Sequence, residues 1–503
     1  MNQSSVARFA VWLAAALIAW TASTWASGES LNWYQPVVQI LGHLLPPVYR
    51  RVGLPEDIPT ARPDTTAVIL NWSRFPNVLQ ISSLLCSPAL DGIIAQVFIW
   101  NNNPNPISLD DFASTGCPDA KLRIHNSAEN MYFHARFVAC SQAATPFCFI
   151  QDDDYLVHAE VIQALHAKLS QATGEPRAIH LLPSHEHLAT TLRTIRAGPA
   201  HTSFAWLGHG ALLPRSAAAD FLALLRALAA SGDELQMADN YFAILSNRVA
   251  EVWFDQGLEL GGGQPFTVGA EGLARNSHHI RRAAEYLEII LGSNADGTSA
   301  QAQLPYVSTR EHGPDELETS LARAACRLAR CLLETNIRLL PQDLEEEARG
   351  PRHMLEAEAD RRAVLSDQTV ELYLEHSPSR AVDDRAATYF ESSENAAAGD
   401  YVLLDYFEDI YARNWTSVRM VLVVDGATRD ILEQSDLTVS GDGLTWNAVE
   451  QTFGCGDSKT NVWRCHAEWT PKEGAGMRSV RVLLGESQHT PWKIYEMYLS
   501  GRR

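Results

Sequence analysis

Residues 147–165 read FCFIQDDDYLVHAEVIQAL: four apolar residues, a glutamine, three consecutive aspartates, then apolar residues at helical spacing. The short apolar run predicts a buried strand, and YLVHAEVIQALHAKL after it predicts a helix. The strand therefore ends in Asp152, Asp153 and Asp154, three adjacent carboxylates that repel one another unless something positive stands among them. Acids in a first helical turn can also simply favour the helix dipole and cap free amides. The other reading is a divalent-cation site, with hard oxygen ligands holding Mn2+ or Mg2+ at a strand's C-terminal edge. Open α/β sheets bind ligands at that edge.

The same alternation extends outward. TAVILNW (66–72) predicts a strand and PNVLQISSLL a helix; IIAQVFIWNNN is a second strand, and LRIHNS a third, followed by helical NMYFHARFVACSQAA. AIHLLP (178–183) and FAWLGHGALLPRSAAADFLALLRAL continue it, and helical DELQMADNYFAILSNR (233–248) precedes the strand AEVWF. Strands alternating with helices predict an α/β fold with a mostly parallel sheet flanked by helices. Each early strand end also delivers polar groups to one edge: Arg74 after the first, Asn101–Asn103 after the second, Asn126, Asn130 and Arg136 after the third. Asparagine amides suit a base or ribose and arginines suit phosphate. Taken singly, each asparagine reads as a loop residue.

The pattern stops near Tyr286–Leu291. Between 313 and 365, LETSLARAACRLARCLLETNIRLL and DLEEEARGPRHMLEAEADRRA predict charged helices, the first with an apolar stripe and the second a solvated face. From about 384 the chain turns all-β, with YVLLDYF, SVRMVLVVDG, DLTVSGDGLTWNAV and SVRVLLGE as short strands of a sandwich. The expected organisation is an N-terminal signal segment (1–26), a Pro-rich stem (27–63), an α/β domain (64–295), a helical charged linker (296–383) and a jelly-roll-like β-sandwich (384–503).

The 503 residues are 46% hydrophobic and 20% charged, with a formal net charge of -20. A surface so acidic repels phosphate backbones, which argues against a nucleic-acid partner. FAVWLAAALIAWTASTWA (9–26) is an uninterrupted apolar run, either a cleaved signal peptide or a signal-anchor of a type II single-pass membrane protein. Both place the rest of the chain in the secretory lumen. Eight cysteines without a CxxC zinc pattern fit an oxidising compartment. Cys455 and Cys465 could close a short loop, and Cys86, Cys117, Cys140 and Cys148 could form two bridges. Cys326 and Cys331, on an expected helix, could bond only if that helix were distorted. NWS at Asn71 and NWT at Asn414 are glycosylation sequons.

The stretch from 66 to about 286 resembles the exostosin-like glycosyltransferases, enzymes of GT-A fold that use nucleotide sugars. The likeness lies in NWSRFPNVLQI, VFIWNNN, HNSAENMYFHARF, QDDD at the place of a DxD-type motif, LGHGALLPRS and DELQMADNYFAIL, in that order. It implies a retaining transfer of an N-acetylhexosamine from a UDP donor to a glycan or glycoprotein, in the Golgi or endoplasmic reticulum lumen or after secretion. It also implies that Asp152 and Asp154 ligate the metal, and that Asp153 with Arg74, Asn101, Asn130 and Arg136 holds the nucleotide. Asp239 would be the acid beside the reacting sugar. A late basic residue near the diphosphate would be Arg275, with Arg281 and Arg282 as rivals.

The C-terminal part resembles discoidin-like, galactose-binding-type domains. Trp446, Trp463 and Trp492 could stack on sugars, although core packing is expected for at least two of them. The histidines of SHEH (184–187) and of His278–His279 read as loop or surface residues, with His278 a possible phosphate contact. The competing functions are a catalytically silent glycan-binding protein on a transferase scaffold, and a metal-dependent phosphodiester hydrolase. Intact QDDD and Asp239 favour transfer over the first, and the lack of His-rich metal ligation argues against the second.

Overall fold

The structure, a computed structural model, describes residues 49–53, 62–262, 266, 269–295, 304–309, 321–341, 344, 349–456, 461–471 and 476–502. The chain divides into two compact units, Met1–Tyr49 with Arg502, and Arg50–Gly501 with Arg503. The N-terminal apolar run lies outside the described residues, and no described helix is long and apolar enough to cross a membrane.

The second unit is mixed α/β, built on one sheet of thirteen described strands. At one end Thr65–Asn71 pairs in parallel with Ile94–Asn101 on one side and Phe147–Gln151 on the other, and Leu122–Asn126 lies parallel beyond Ile94–Asn101. Ala211–Pro214 runs antiparallel between Phe147–Gln151 and Ile179–Leu182, and Glu251–Phe254 is parallel to the latter. TAVIL and FIW are continuous apolar runs because both faces of these strands are covered, a property of parallel sheets. The helix Ala159–Ser170 buries Val161, Ile162, Leu165 and Leu169 against one face, while Phe137 and Phe242 pack on the other. Register fixes the functional edge. Asn71, Asn101 and Asn126 stand abreast, and Gln151 lies opposite Ile69, so Asp152 begins where three parallel strands end together.

The expected helical linker is in part a β-hairpin. Ala322–Ala325 and Leu332–Thr335 pair antiparallel, Ala322 opposite Thr335 and Ala325 opposite Leu332, and the Cys326–Cys331 disulfide closes the turn. Short apolar runs satisfy a period of 2 as readily as 3.6. The bond that would have distorted a helix is natural at the tip of a hairpin. Two helices come after it, at Met354–Val364 and Asp367–Glu375. Leu332–Thr335 then pairs with Tyr401–Asp405, and so on through Ser479–Leu484, Ser435–Ser440 and Asn447–Ala448. The large sheet thus continues from the α/β part into the all-β part without a break.

A second sheet carries Pro491–Arg502, Ser417–Asp425, Val462–Trp469, Gly454–Gly456 and Phe390–Asn395. Val418, Leu422, Ile494 and Trp492 from it share one core with Leu404, Val480 and Val482 of the large sheet, which makes the expected sandwich. Part of the expected stem belongs here too. Arg50–Arg51 pairs with Ser500–Gly501, and Val52 is buried in the same core. The disulfides Cys86–Cys117, Cys140–Cys148 and Cys455–Cys465 complete four, the arrangement an oxidising compartment favours. Of the three tryptophans, Trp492 is core, Trp463 packs partly buried beneath Arg429, and Trp446 lies under Arg481 with the guanidinium 4.1 Å from its ring.

Candidate active site

A cleft of about 810 Å³ opens where the parallel strands end, and Asp152, Asp153, Asp154, Arg74, Asn130 and Asp239 all line it. Arginines answer the repulsion within the acidic run. Arg136 donates to Asp152 at 2.6 Å, while Arg74 donates to Asp153 at 2.8 Å and lies 3.4 Å from Asp154. Arg74 is itself held by the carbonyl of Gly262. Burial raises the Asp153 and Asp154 carboxyls, Asp152 adds to the rise, and Arg74 pulls both back.

Arg136 is fully buried and bridges two acids far apart in sequence. Its second terminal nitrogen makes an ion pair with Asp239 Oδ2 at 2.9 Å, at an angle that is not that of a hydrogen bond. Burial pulls the guanidinium down, but Asp152 and Asp239 outweigh it and the net direction is up. Asp239 opens the helix Asp239–Leu245, all seven residues of which are buried. Burial pushes its carboxyl up to about 7, against the pull of Arg136. Its Oδ1 is buried and without a hydrogen-bond partner. A buried acceptor with no donor is costly and calls for a group that arrives with the ligand.

Aromatic rings form another wall. Phe266 lies 5.2 Å from the Tyr132 ring and 6.1 Å from that of Phe133, and all three face the cleft. Asn130 receives the Tyr132 amide at 2.8 Å, which fixes the turn leading to them.

Not every expected residue is there. Asn101 is fully buried and does not line the cleft. It accepts from Asn71 at 2.7 Å and donates to Asn126 and to the Asn105 carbonyl, tying three strand ends together. Its neighbour Asn102 lines the cleft in its place. Arg275 stacks on Phe266 at 3.7 Å and donates to its carbonyl, so it backs the aromatic wall rather than lining the cleft. Arg281 faces Glu356, and Arg282 is bound by Glu234 and Glu285. His278 is exposed and does not line the cleft. His187 is core, stacked 3.8 Å from Phe254 and hydrogen-bonded to Tyr373.

Among the lining residues that the sequence did not single out, Gly208, His209 and Glu186 stand beside the acidic corner. Gly208 packs so closely on Asp152 that a Cβ there would stand 2.3 Å from Asp152 Oδ2, and its carbonyl accepts the Asp152 amide at 2.8 Å. His209 comes next in the chain and faces Glu186 at 3.6 Å. Only the glycines and histidines of LGHGALLPRS and SHEH hinted at them.

A divalent ion has a partial set of hard donors here. The side chains of Asp154 and Asp152 are 34% and 31% exposed at the cleft, and Asp153 Oδ2 is buried beside them without a partner. Among the described residues no group of three His, Cys, Asp or Glu side chains could hold a metal by itself.

No family model matches the sequence, and no curated protein matches it. Solved structures do. A mannosyltransferase from Pyrobaculum calidifontis, in complex with GDP-mannose and Mn2+, is 16% identical over 54% of this chain and 74% of its own, with a TM-score of 0.30. A family 32 carbohydrate-binding module from a family 31 glycoside hydrolase of Clostridium perfringens is 17% identical over 25% of this chain and 85% of its own, TM-score 0.18. Another such module of Clostridium perfringens, in complex with GalNAc-β-1,3-galactose, is 14% identical over 25% and 84%, TM-score 0.19. Likenesses at this level carry no argument about activity, which rests on the cleft.

Proposed function

We propose that the cleft is the active site of a glycosyltransferase that moves a sugar, an N-acetylhexosamine by the exostosin-like resemblance, with retention from a UDP donor to a glycan or glycoprotein. The observation that carries this reading is the ion-paired chain Asp152–Arg136–Asp239 at the cleft, with Arg136 and Asp239 buried and one Asp239 oxygen without a partner.

The residues divide the work by their chemistry. Tyr132, Phe133 and Phe266 offer apolar faces for a base or sugar ring. Arg74, with Asn102 and Asn130 nearby, suits the ribose–diphosphate portion. Asp154 and Asp152 would hold Mn2+ or Mg2+, which when bound neutralises charge on the leaving diphosphate. The bond from the anomeric carbon to the diphosphate oxygen breaks with its electron pair going to that oxygen. The acceptor oxygen bonds to the anomeric carbon, and its proton passes to the departing phosphate. Asp239, as a carboxylate in a dry site, stabilises positive character at that carbon or orients the acceptor hydroxyl, where low dielectric makes a fixed charge effective. Arg136 holds Asp239 and Asp152 at a set separation, so acid and diphosphate corner move together.

We propose the domain division 64–295 for transfer and 384–503 for a discoidin-like, carbohydrate-binding module, with Trp446 as its candidate sugar platform. A secretory-lumen location, with 1–26 as anchor or signal peptide, belongs to the same reading. The test is UDP release from a panel of UDP-sugars by the full chain, with and without Mn2+. Mn2+-dependent release that Asp154→Ala or Asp239→Ala abolishes supports it. Absence of calorimetric binding to every UDP-sugar overturns it.

A further inference from the structure

The cleft is crowded with acid: Asp152, Asp153, Asp154, Asp239, Glu186 and Glu259 all line it. A diphosphate entering there needs positive donors from the protein, and the arginines nearby are engaged. Arg136 is shared between two aspartates, Arg74 between two more, and Arg193 is held in a two-pronged pair by Glu358 at 2.7 and 3.1 Å. The late arginine expected from sequence backs the aromatic wall.

His209 is placed differently. Gly208 lies against the Asp152 carboxylate with no room for a side chain, so the next residue is set down beside the triple-acid corner. Its imidazole lines the cleft, with the Tyr155 ring edge-on at 4.6 Å. Its Nε2 meets Glu186 only at 3.6 Å, longer than a hydrogen bond. Its Nδ1 is buried and without a hydrogen-bond partner.

We propose that His209 donates an imidazole N–H to the diphosphate of the donor, exchanging its long contact with Glu186 for a phosphate oxygen. This rests on the UDP-sugar reading above and names a protein group that grips the leaving group. His209 keeps its proton throughout. It stabilises the negative charge that collects on the diphosphate oxygen as the bond to the anomeric carbon breaks.

Glu186 gives the proposal a signature of opposite sign, because it competes with the phosphate for the imidazole and repels it. Calorimetric titration of the full chain with UDP and with uridine, in Mn2+, reads this. His209→Gln weakens UDP binding about tenfold or more and leaves uridine binding unchanged, the loss expected for a charge-assisted bond to phosphate. Glu186→Gln tightens UDP binding several-fold. A melting temperature within a few degrees of wild type shows that each variant is folded. If wild type binds UDP and neither variant changes it, or if UDP and uridine weaken together, His209 has no phosphate role. If wild type binds no UDP, the donor reading falls and this inference with it.

Discussion

Gly208 and Asp152 are in direct contact: a side-chain carbon on Gly208 would stand 2.3 Å from Asp152 Oδ2. Gly208→Ala must therefore push the Asp152 carboxylate away, and with it the pair to Arg136. The cleft is open on that side, so the fold survives while the acidic corner shifts. The expected outcome is UDP release reduced at least about tenfold, since small misplacements in active sites cost that much or more, with little change in melting temperature. Unchanged release from Gly208→Ala would show that the position of Asp152 is not critical.

Asp239 gives a pH dependence in two senses. Its carboxyl is raised from an ordinary 3.8 to about 7, chiefly by burial. The folded state thus holds a proton that the unfolded state releases. The resulting stability is complete below about pH 4 and lost as pH rises through about 7. Asp239→Asn removes that loss, so its melting temperature relative to wild type climbs between pH 5 and pH 8. Turnover runs the other way, because the carboxylate is the active form, and wild-type kcat rises with pH through about 7. A relative melting temperature that is flat with pH would contradict the raised carboxyl.

Arg136 is the partner both acids depend on. Arg136→Met leaves Asp239 buried and Asp152 half-buried without a cation, the situation in which a broken buried pair costs about 3–5 kcal/mol. Chemical denaturation of the variant measures this at neutral pH. The deficit shrinks towards pH 5, where Asp239 takes up a proton. A variant as stable as wild type at pH 8 would refute the role given to the bridge.

The two sequons part company in the fold. Asn71 is 2% exposed and donates to Asn101, whereas Asn414 is exposed at the left-handed end of a short 3-10 helix. Passed through a eukaryotic secretory pathway, the folded protein carries a glycan at Asn414 and none at Asn71, as peptide mapping after enzymatic deglycosylation shows. Occupancy at Asn71 in folded protein would contradict the asparagine network.

Much of this was legible from apolar runs and the residues that end them. The strands at 65–71, 94–101 and 147–151 are largely buried on both faces, so their middles are apolar and their polar residues gather at the ends, and the acids after them stand where the parallel edge puts them. Arg74 and Arg136 were legible at the strand ends and Asp239 through a resemblance, and the fold brings all three to the acidic corner. Asn101 misled because an amide that suits a base suits a neighbouring strand end equally well. The hairpin at 322–335 was hidden because four-residue strands are too short to separate periods of 2 and 3.6. Arg50–Arg51 joins a sheet whose other strands lie hundreds of residues away, and no local pattern reports that. Nothing in LGHGALLPRS singles out His209; only Gly208 packed on Asp152 gives it a place.

The central claim is that Asp239 acts on the sugar while the corner at Asp152–Asp154 holds the diphosphate. Comparing wild type with Asp239→Asn for both UDP affinity and UDP release from the best UDP-sugar, in Mn2+, separates the two. Affinity should stay within a few-fold while release falls by roughly a hundredfold or more, the scale of losing one fixed charge at a reacting centre. Release that survives Asp239→Asn undiminished would contradict the account.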